Sequence, residues 1–467
     1  MLRECVTCNK ELTGKQRKYC SESCKMKAFP LYPHQEHGVT FLEQTGGKGI
    51  IAFEQGLGKT RSALTYLDDK NLKTVVVCPA GIKFNWTDEI RRWCPGKIIA
   101  IHLPQFSKQK QTELAKIGIH LFKKPEDRHK LNWDYLIISY RSLFNFVPLT
   151  EHDAVLIDEC HRIGNANSQQ CMDVQRVCAW KKTVIMLSGT PLKNNPAEFY
   201  SALNIVAPHD FASWDEYIKR YCNAKRVYHG AIFFLKPNGT SRMKELNQKL
   251  QGCMLRYSKE DVDLGLPDVS ITHYGINIDL DEYQSQLQNT TPDFKSLALL
   301  RSKLGYLKVP NTLRLLKNCA KPVIIFHHHH SFSEAFLKEQ DAEIINGKTQ
   351  AMDRASIVQS FQSGDIPILL ASTMAASEGI SLTAAKTIIL AEREWTSADE
   401  EQAIARAHRV GLKHPLKVYI MNAKGTIDEH ISAIVDKKKK MIDVMIDGKG
   451  KANSRSISKE ILRRLFA

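Results

Sequence analysis

Ile50-Ile51-Ala52-Phe53-Glu54-Gln55-Gly56-Leu57-Gly58-Lys59-Thr60 is an apolar run that feeds a glycine-rich turn and then, from Lys59, a stretch of helical character. Strand, glycine turn and helix in that order make a cradle for phosphates. Gly56 and Gly58 let backbone N–H groups turn inward around the β- and γ-phosphates. Lys59 supplies a point charge, and the Thr60 hydroxyl can hold Mg²⁺. The strict pattern G-x4-G-K-[ST] asks for glycine where Phe53 stands, so this stretch alone also reads as a chance glycine turn.

About one hundred residues downstream, Ala154-Val155-Leu156-Ile157-Asp158-Glu159-Cys160-His161 supplies what a chance turn does not explain. An apolar strand that delivers two adjacent carboxylates is the natural partner of a phosphate loop. Asp158 suits a Mg²⁺ held through water, and Glu159 suits the general base that polarises the attacking water. The two halves of an ATP site thus occur in the right order.

Around them the chain alternates short β-branched runs with longer helical stretches. Lys48 to Phe53, Thr74 to Cys78, Tyr135 to Ser139, Ala154 to Asp158 and Thr183 to Ser188 read as buried parallel strands. A second series begins at Val323 to Phe326 and continues through Ile366 to Ala371, Thr387 to Ala391 and Lys417 to Met421. The expected fold is therefore α/β, with two tandem lobes and parallel sheets. The expected organisation is a first lobe over 29–221, an insertion and linker over 222–318, a second lobe over 319–446, and a basic tail over 447–467. Within the insertion, Tyr228 to Thr240 reads as a hairpin.

A length of 467 residues is too great for one compact core and suits two domains plus appendages. With 43% hydrophobic and 25% charged residues, disorder cannot dominate. Apolar runs such as Val75 to Val77 fall far short of the ~20 residues that span a bilayer. Cys5, Cys8 and Lys10 interrupt any secretory core, which makes the cytoplasm the expected compartment. Lys plus Arg exceed Asp plus Glu by 16, and residues 1–28 and 436–467 carry +4 and +6 of that surplus. Basic ends on a mildly basic body suit an enzyme that grips a polyanion at selected places.

Of twelve cysteines, eight are scattered and read as core thiols. Cys5, Cys8, Cys20 and Cys24 instead form a C-x2-C-x11-C-x3-C array over residues 1–28. Thiolate pairs at that spacing can close on one tetrahedral Zn²⁺, and so short a segment cannot build a core without such a staple. A closed four-thiolate site leaves no open position, so the knuckle is structural or serves recognition, with a protein partner as its candidate ligand.

Taken together, the motifs resemble helicase superfamily 2, and within it the Swi/Snf-like DNA translocases, from Leu31 to about Ile446. Leu31-Tyr32-Pro33-His34-Gln35 resembles the segment in which a glutamine, here Gln35, reads adenine. Glu54 to Thr60 resembles that family's D-E-M-G-L-G-K-T, with Phe53 and Gln55 in place of Asp and Met; the family itself lacks the first glycine. Val77-Cys78-Pro79-Ala80 with Asn85-Trp86 and Glu89, and Ser139-Tyr140, resemble strand-contacting motifs. Ser188-Gly189-Thr190-Pro191 resembles the motif that couples hydrolysis to DNA contact. Ala371 to Ala385 resembles S-T-x-A-G-G-x-G-x-x-L-T-A-A, with Ala376 and Ser377 replacing two glycines. Glu401 to Gly411 resembles the arginine-finger motif, with Leu412 where glutamine is usual. The resemblance implies RecA-like lobes, nucleotide contacts at Gly379 and Gln402, and Arg406 and Arg409 reaching the γ-phosphate. Their spacing of three predicts one helical face.

Pro196-Ala197-Glu198, Tyr221 to Arg226, Met254-Leu255-Arg256 and Phe326-His327-His328 resemble the annealing-helicase and fork-remodelling branch. The compact length resembles phage branch-migration helicases, for which the compartment is the host cytoplasm. These resemblances imply an ATP- and Mg²⁺-dependent monomeric motor on branched or double-stranded DNA, acting in replication, recombination or repair. The residues leave open an RNA helicase, a nucleoprotein remodeller, and an ATP-controlled nucleic-acid-binding switch.

Overall fold

The computed structural model describes residues 29–147, 149–192, 195–230, 232–288, 293–373 and 380–446. Cys5, Cys8, Cys20 and Cys24, the segment 374–379 with Gly379, and the tail 447–467 lie outside the described residues. The described chain forms two compact units. The first runs up to Leu192 and adds Ala197–Tyr217 and Gln248–Val262; the second holds Ile218–Asn247 and the chain from Asp263 onward.

The first unit is built on an eight-stranded sheet in the order β10-β1-β7-β6-β2-β5-β3-β4. Its strands are β1 (Lys48–Phe53), β2 (Thr74–Cys78), β3 (Ile99–His102), β4 (Ile119–Phe122), β5 (Tyr135–Ser139), β6 (Ala154–Asp158), β7 (Thr183–Leu187) and β10 (Met254–Tyr257). Every pairing in it is parallel. Parallel strands need crossover helices, which cover both faces and explain the unbroken apolar runs in the centre. β2 and β5 are buried at every position.

The second unit carries a six-stranded parallel sheet in the order β11-β16-β15-β12-β14-β13. Its strands are β11 (Val269–Ile276), β12 (Val323–His327), β13 (Glu343–Ile345), β14 (Ile368–Ser372), β15 (Thr387–Leu390) and β16 (Leu416–Ala423). The two faces of this sheet pack separate apolar clusters, one around Phe332 and Phe336, the other around Phe326 and Phe361.

The stretch 222–318 enters all three sheets. It supplies β10 to the first, β11 to the second, and a separate two-stranded hairpin of β8 (Lys225–His229) and β9 (Ile232–Lys236). The hairpin thus opens three residues earlier than the sequence pattern suggests and closes at Lys236 rather than Thr240. Pro237-Asn238-Gly239 cannot extend the ladder, because proline lacks an N–H and glycine weakens a strand.

Seven of the eight described cysteines are buried free thiols and Cys319 is half-buried, as core thiols should be. Among the described residues no helix is long and apolar enough to cross a membrane.

Candidate active site

β1 is buried from Gly49 to Phe53, and the chain leaves the sheet at Glu54. Gly56 and Gly58 then take φ of +93° and +80°, a left-handed backbone that L side chains resist. At Gly58 space forbids a side chain as well, since an added Cβ would stand 2.2 Å from Gln35 Nε2. Gln35 is buried beneath this turn: its amide donates to Leu57 O at 3.1 Å and its carbonyl accepts the Tyr32 N–H at 3.2 Å. His34 Nε2 lies 2.8 Å from the same Leu57 carbonyl. The segment around Gln35 and the glycine turn are therefore one braced structure.

Gly58 caps the helix Lys59–Asp69, so Lys59 and Thr60 occupy its first turn, where unpaired N–H groups and the helix dipole favour an anion. The Lys59 stem is buried, and its ammonium donates to Glu54 O at 3.4 Å.

β6 ends on the acidic pair. Asp158 accepts from Trp86 Nε1 at 2.9 Å and from the Glu159 backbone N–H at 2.9 Å. Burial, reinforced by the Glu159 charge beside it, pushes the Asp158 carboxyl well above the usual carboxylate range, against the pull of Trp86 and Lys59. Two crowded carboxylates in a buried place are the setting that a divalent cation relieves, so the donor set fits Mg²⁺. Glu159 itself has φ of +54°, a strained value for a non-glycine residue at the point where the strand turns. The Tyr140 hydroxyl, donating to Asp158 O at 2.6 Å, helps to hold that turn.

Gln55 Nε2 donates to Glu159 Oε1 at 3.2 Å, and His161 Nδ1 stands 3.3 Å from Glu159 Oε2. The carboxylate thus accepts a hydrogen bond from the glycine turn and has the residue two places downstream beside it. Ser188, just past β7, lies within reach of the same histidine at 3.4 Å, and its hydroxyl accepts the Thr190 N–H at 3.2 Å. A Cβ on Gly189 would approach the Gln55 side chain to 3.0 Å. From the edge strand β10, Arg256 donates to Ala52 O at 2.8 Å and Gly189 O at 3.3 Å, and pairs with Glu54 at 3.3 Å.

The first unit accordingly brings Gln35, Gly56, Gly58, Lys59, Thr60, Asp158 and Glu159 to one end of its sheet. Sequence reasoning gave no site role to Gln55, His161 or Arg256, and named Trp86 only within a strand-contacting motif. One signal was present for Gln55: it replaces an apolar methionine of the family pattern with an amide.

In the second unit the helix Ser397–Ile404 is capped by Thr396, whose hydroxyl accepts the Asp399 N–H at 3.2 Å, and it buries Gln402. Arg393 and Glu400, paired at 2.7 Å and both buried, fix its start. The helix ends at Ile404, so Arg406 and Arg409 lie in the turns beyond it and share no helical face, contrary to their spacing. Instead the Arg406 carbonyl accepts the Leu382 N–H at 2.8 Å, tying this turn to the segment that leads into β15. Arg406 is buried and Arg409 half-buried.

The histidine run after β12 is engaged by carboxylates: His329 Nδ1 lies 2.7 Å from Glu392 and His328 Nδ1 lies 3.2 Å from Glu394. Among the described residues no three His, Cys, Asp or Glu side chains are arranged to hold a metal ion without other groups.

Residues 34–346 match the SNF2-related domain, and residues 307–411 match the helicase conserved C-terminal domain. The chain belongs to the SNF2-related family, a Swi/Snf-like branch of helicase superfamily 2. It is 25% identical over 459 residues to the human DNA annealing helicase and endonuclease ZRANB3, covering 90% of this chain and 40% of that protein. The SWI/SNF-related matrix-associated actin-dependent regulator of chromatin subfamily A-like protein 1 of Xenopus tropicalis is 25% identical, covering 88% of this chain and 44% of that protein. The chain thus spans less than half the length of these relatives. The Sulfolobus solfataricus SWI2/SNF2 ATPase core in complex with dsDNA superposes with a TM-score of 0.42 at 20% identity, covering 93% of this chain and 97% of that one.

Proposed function

We propose that this chain hydrolyses ATP with Mg²⁺ and uses the reaction to move on branched or double-stranded DNA, so that strands reanneal, junctions migrate or forks regress. The observation that carries the reading is the contact of Gln55 in the phosphate loop with Glu159 of the acidic pair, which joins the two halves of an ATP site within one unit. The names of the relatives favour DNA over RNA as the track.

The N–H groups of the loop and the first turn of Lys59–Asp69 hold the phosphates, and Lys59 neutralises their charge. Thr60 and Asp158 are the residues that hold Mg²⁺, which when bound offsets the charge that develops on the phosphate oxygens. Glu159, oriented by Gln55 and His161, accepts the proton of the attacking water. On the family resemblance we also assign Gln402, Arg406, Arg409 and Gly379 to the nucleotide.

ATP turnover measured with a four-way junction, plain duplex, single strands and RNA tests the reading. The junction and the duplex should stimulate most and RNA least; strongest stimulation by RNA would overturn the DNA assignment. We also assign one Zn²⁺ to Cys5, Cys8, Cys20 and Cys24. Metal analysis should find zinc in the full chain and lose it on deletion of residues 1–28, and zinc that persists after the deletion refutes those ligands.

A further inference from the structure

Among the described residues the hairpin β8–β9 pairs with no other strand, so neither of its edges is extended into a sheet. Tyr228 is 64% exposed, Ile232 75%, Phe233 48% and Phe234 49%, which excludes their use as core. Opposed residues share a face: Tyr228 meets Phe233 on one side, and Val227 meets Phe234 on the other. The Tyr228 and Phe233 rings lie 6.0 Å apart, and the Arg226 guanidinium sits 4.9 Å above Phe233. Lys225, Arg226 and Lys236 give the hairpin three formal positive charges, and no acidic residue offsets them.

A two-stranded ribbon is marginal in water by itself. This one is anchored at its root. Asn238 N–H donates to Cys222 O at 3.0 Å, and Ser241 N–H to Tyr221 O at 2.9 Å. Glu245 accepts from Arg220 at 2.6 Å and from the Tyr221 hydroxyl at 2.8 Å. Two residues further, Asn247 Nδ2 caps the end of the helix Ile427–Ile446 through Met445 O and Ile446 O, both at 3.0 Å. The blade is therefore exposed while its base is fixed to the second unit.

Exposed rings interleaved with cations and free of carboxylates match one ligand chemistry closely. Bases stack on aromatic faces without regard to sequence, the phosphates between them meet lysine and arginine, and an arginine over the ring adds to both. A paired duplex hides its base faces, so it can meet the charges but not the rings. We propose that the β8–β9 hairpin binds unpaired bases, and that it is the element by which the chain distinguishes a DNA junction from plain duplex. This rests on the DNA-translocase reading and adds to it a specificity surface outside the ATP site. The Ile232 side chain, the most exposed of the four, is placed to wedge beside the first unpaired base.

The test compares fluorescence anisotropy of the 467-residue chain on a forked duplex with unpaired thymidines at its branch and on a blunt duplex of equal length, at one fixed salt concentration. The wild type should prefer the fork. Phe233→Leu with Phe234→Leu keeps the apolar volume but removes the aromatic faces, and should reduce the fork-over-duplex ratio about tenfold or more. Tyr228→Phe keeps its ring and should keep the ratio. An unchanged ratio in the leucine pair overturns the proposal and points to an apolar docking surface for a protein. Equal losses on fork and duplex also overturn it, because the hairpin would then be a general phosphate grip. Wild-type ATP turnover on both DNAs, recorded alongside, separates failure of the hairpin from failure of the translocase reading: absence of any DNA stimulation sinks the latter whatever the ratio does.

Discussion

Glu159→Gln should lower DNA-stimulated ATP turnover about a thousandfold while leaving nucleotide affinity within a few-fold of wild type. The size follows from the usual contribution of a positioned general base, about a hundred- to ten-thousandfold. The affinity should be retained because the substitution is nearly isosteric and leaves Gly56 to Thr60, the residues proposed to hold the phosphates, unchanged. Lys59→Ala should fail differently. It removes a buried cation from the loop itself, so both turnover and affinity for the nucleotide should fall. Steady-state turnover combined with equilibrium titration of a fluorescent nucleotide separates the two patterns. Wild-type turnover in Glu159→Gln would mean that another group activates the water. Loss of affinity equal to that of Lys59→Ala would mean that Glu159 serves the phosphates or the metal instead.

The central strands were legible because strands buried on both faces must be apolar throughout, as β2 and β5 are. The edges were not. β4 is four residues long with His120 inside it, and β10 is Met254-Leu255-Arg256-Tyr257, whose arginine breaks the apolar run. That arginine faces Glu54 and two backbone carbonyls, a role visible only once β10 lies beside β1. β11 is exposed at six successive positions, Ser270 to Gly275, so neither alternation nor a continuous apolar run marks it as a strand. The ATP-site motifs were readable because phosphate chemistry fixes residue types at short spacing. Gln55 and Trp86 act on the acidic pair across 104 and 72 positions of chain, which no local pattern displays beyond the amide that replaces methionine at Gln55, whereas His161 sits two places from Glu159 and contacts it only because the strand turns there. Arg406 and Arg409 show the opposite failure. A spacing of three fits a helix, but the helix stops at Ile404 and the chain turns before either arginine.

Asp428→Ala should be strongly destabilising, costing about 4 kcal/mol. Lys308, on the helix Phe294–Leu316, is 1% exposed and pairs with Asp428, which is 3% exposed. Lys308 Nζ also donates to Ala391 O at 3.0 Å and Met421 O at 3.2 Å, while Asp428 accepts the Ala423 N–H at 3.0 Å. The pair therefore ties one helix to the ends of β15 and β16. Removing the carboxylate leaves a buried ammonium with only carbonyls around it, a larger loss than the pair's own net contribution. Lys308→Met together with Asp428→Leu removes both charges at similar volume and should recover most of the loss. Urea unfolding of the single and double variants, with hydrogen exchange at β15 and β16, measures both quantities. A cost below about 1 kcal/mol for Asp428→Ala would mean that water reaches the site and solvates the lysine. Ala391 leads directly into Glu392 and Arg393, and Arg393 fixes the start of the helix that buries Gln402 and leads to Arg406, two residues proposed to contact the nucleotide. A milder variant, Asp428→Asn, should therefore lower ATP turnover more than it lowers nucleotide binding to the phosphate loop, because its effect is confined to the unit that carries the arginines. If turnover and loop affinity fell together, the loss would be one of global folding and the link from Asp428 to Arg406 would be wrong.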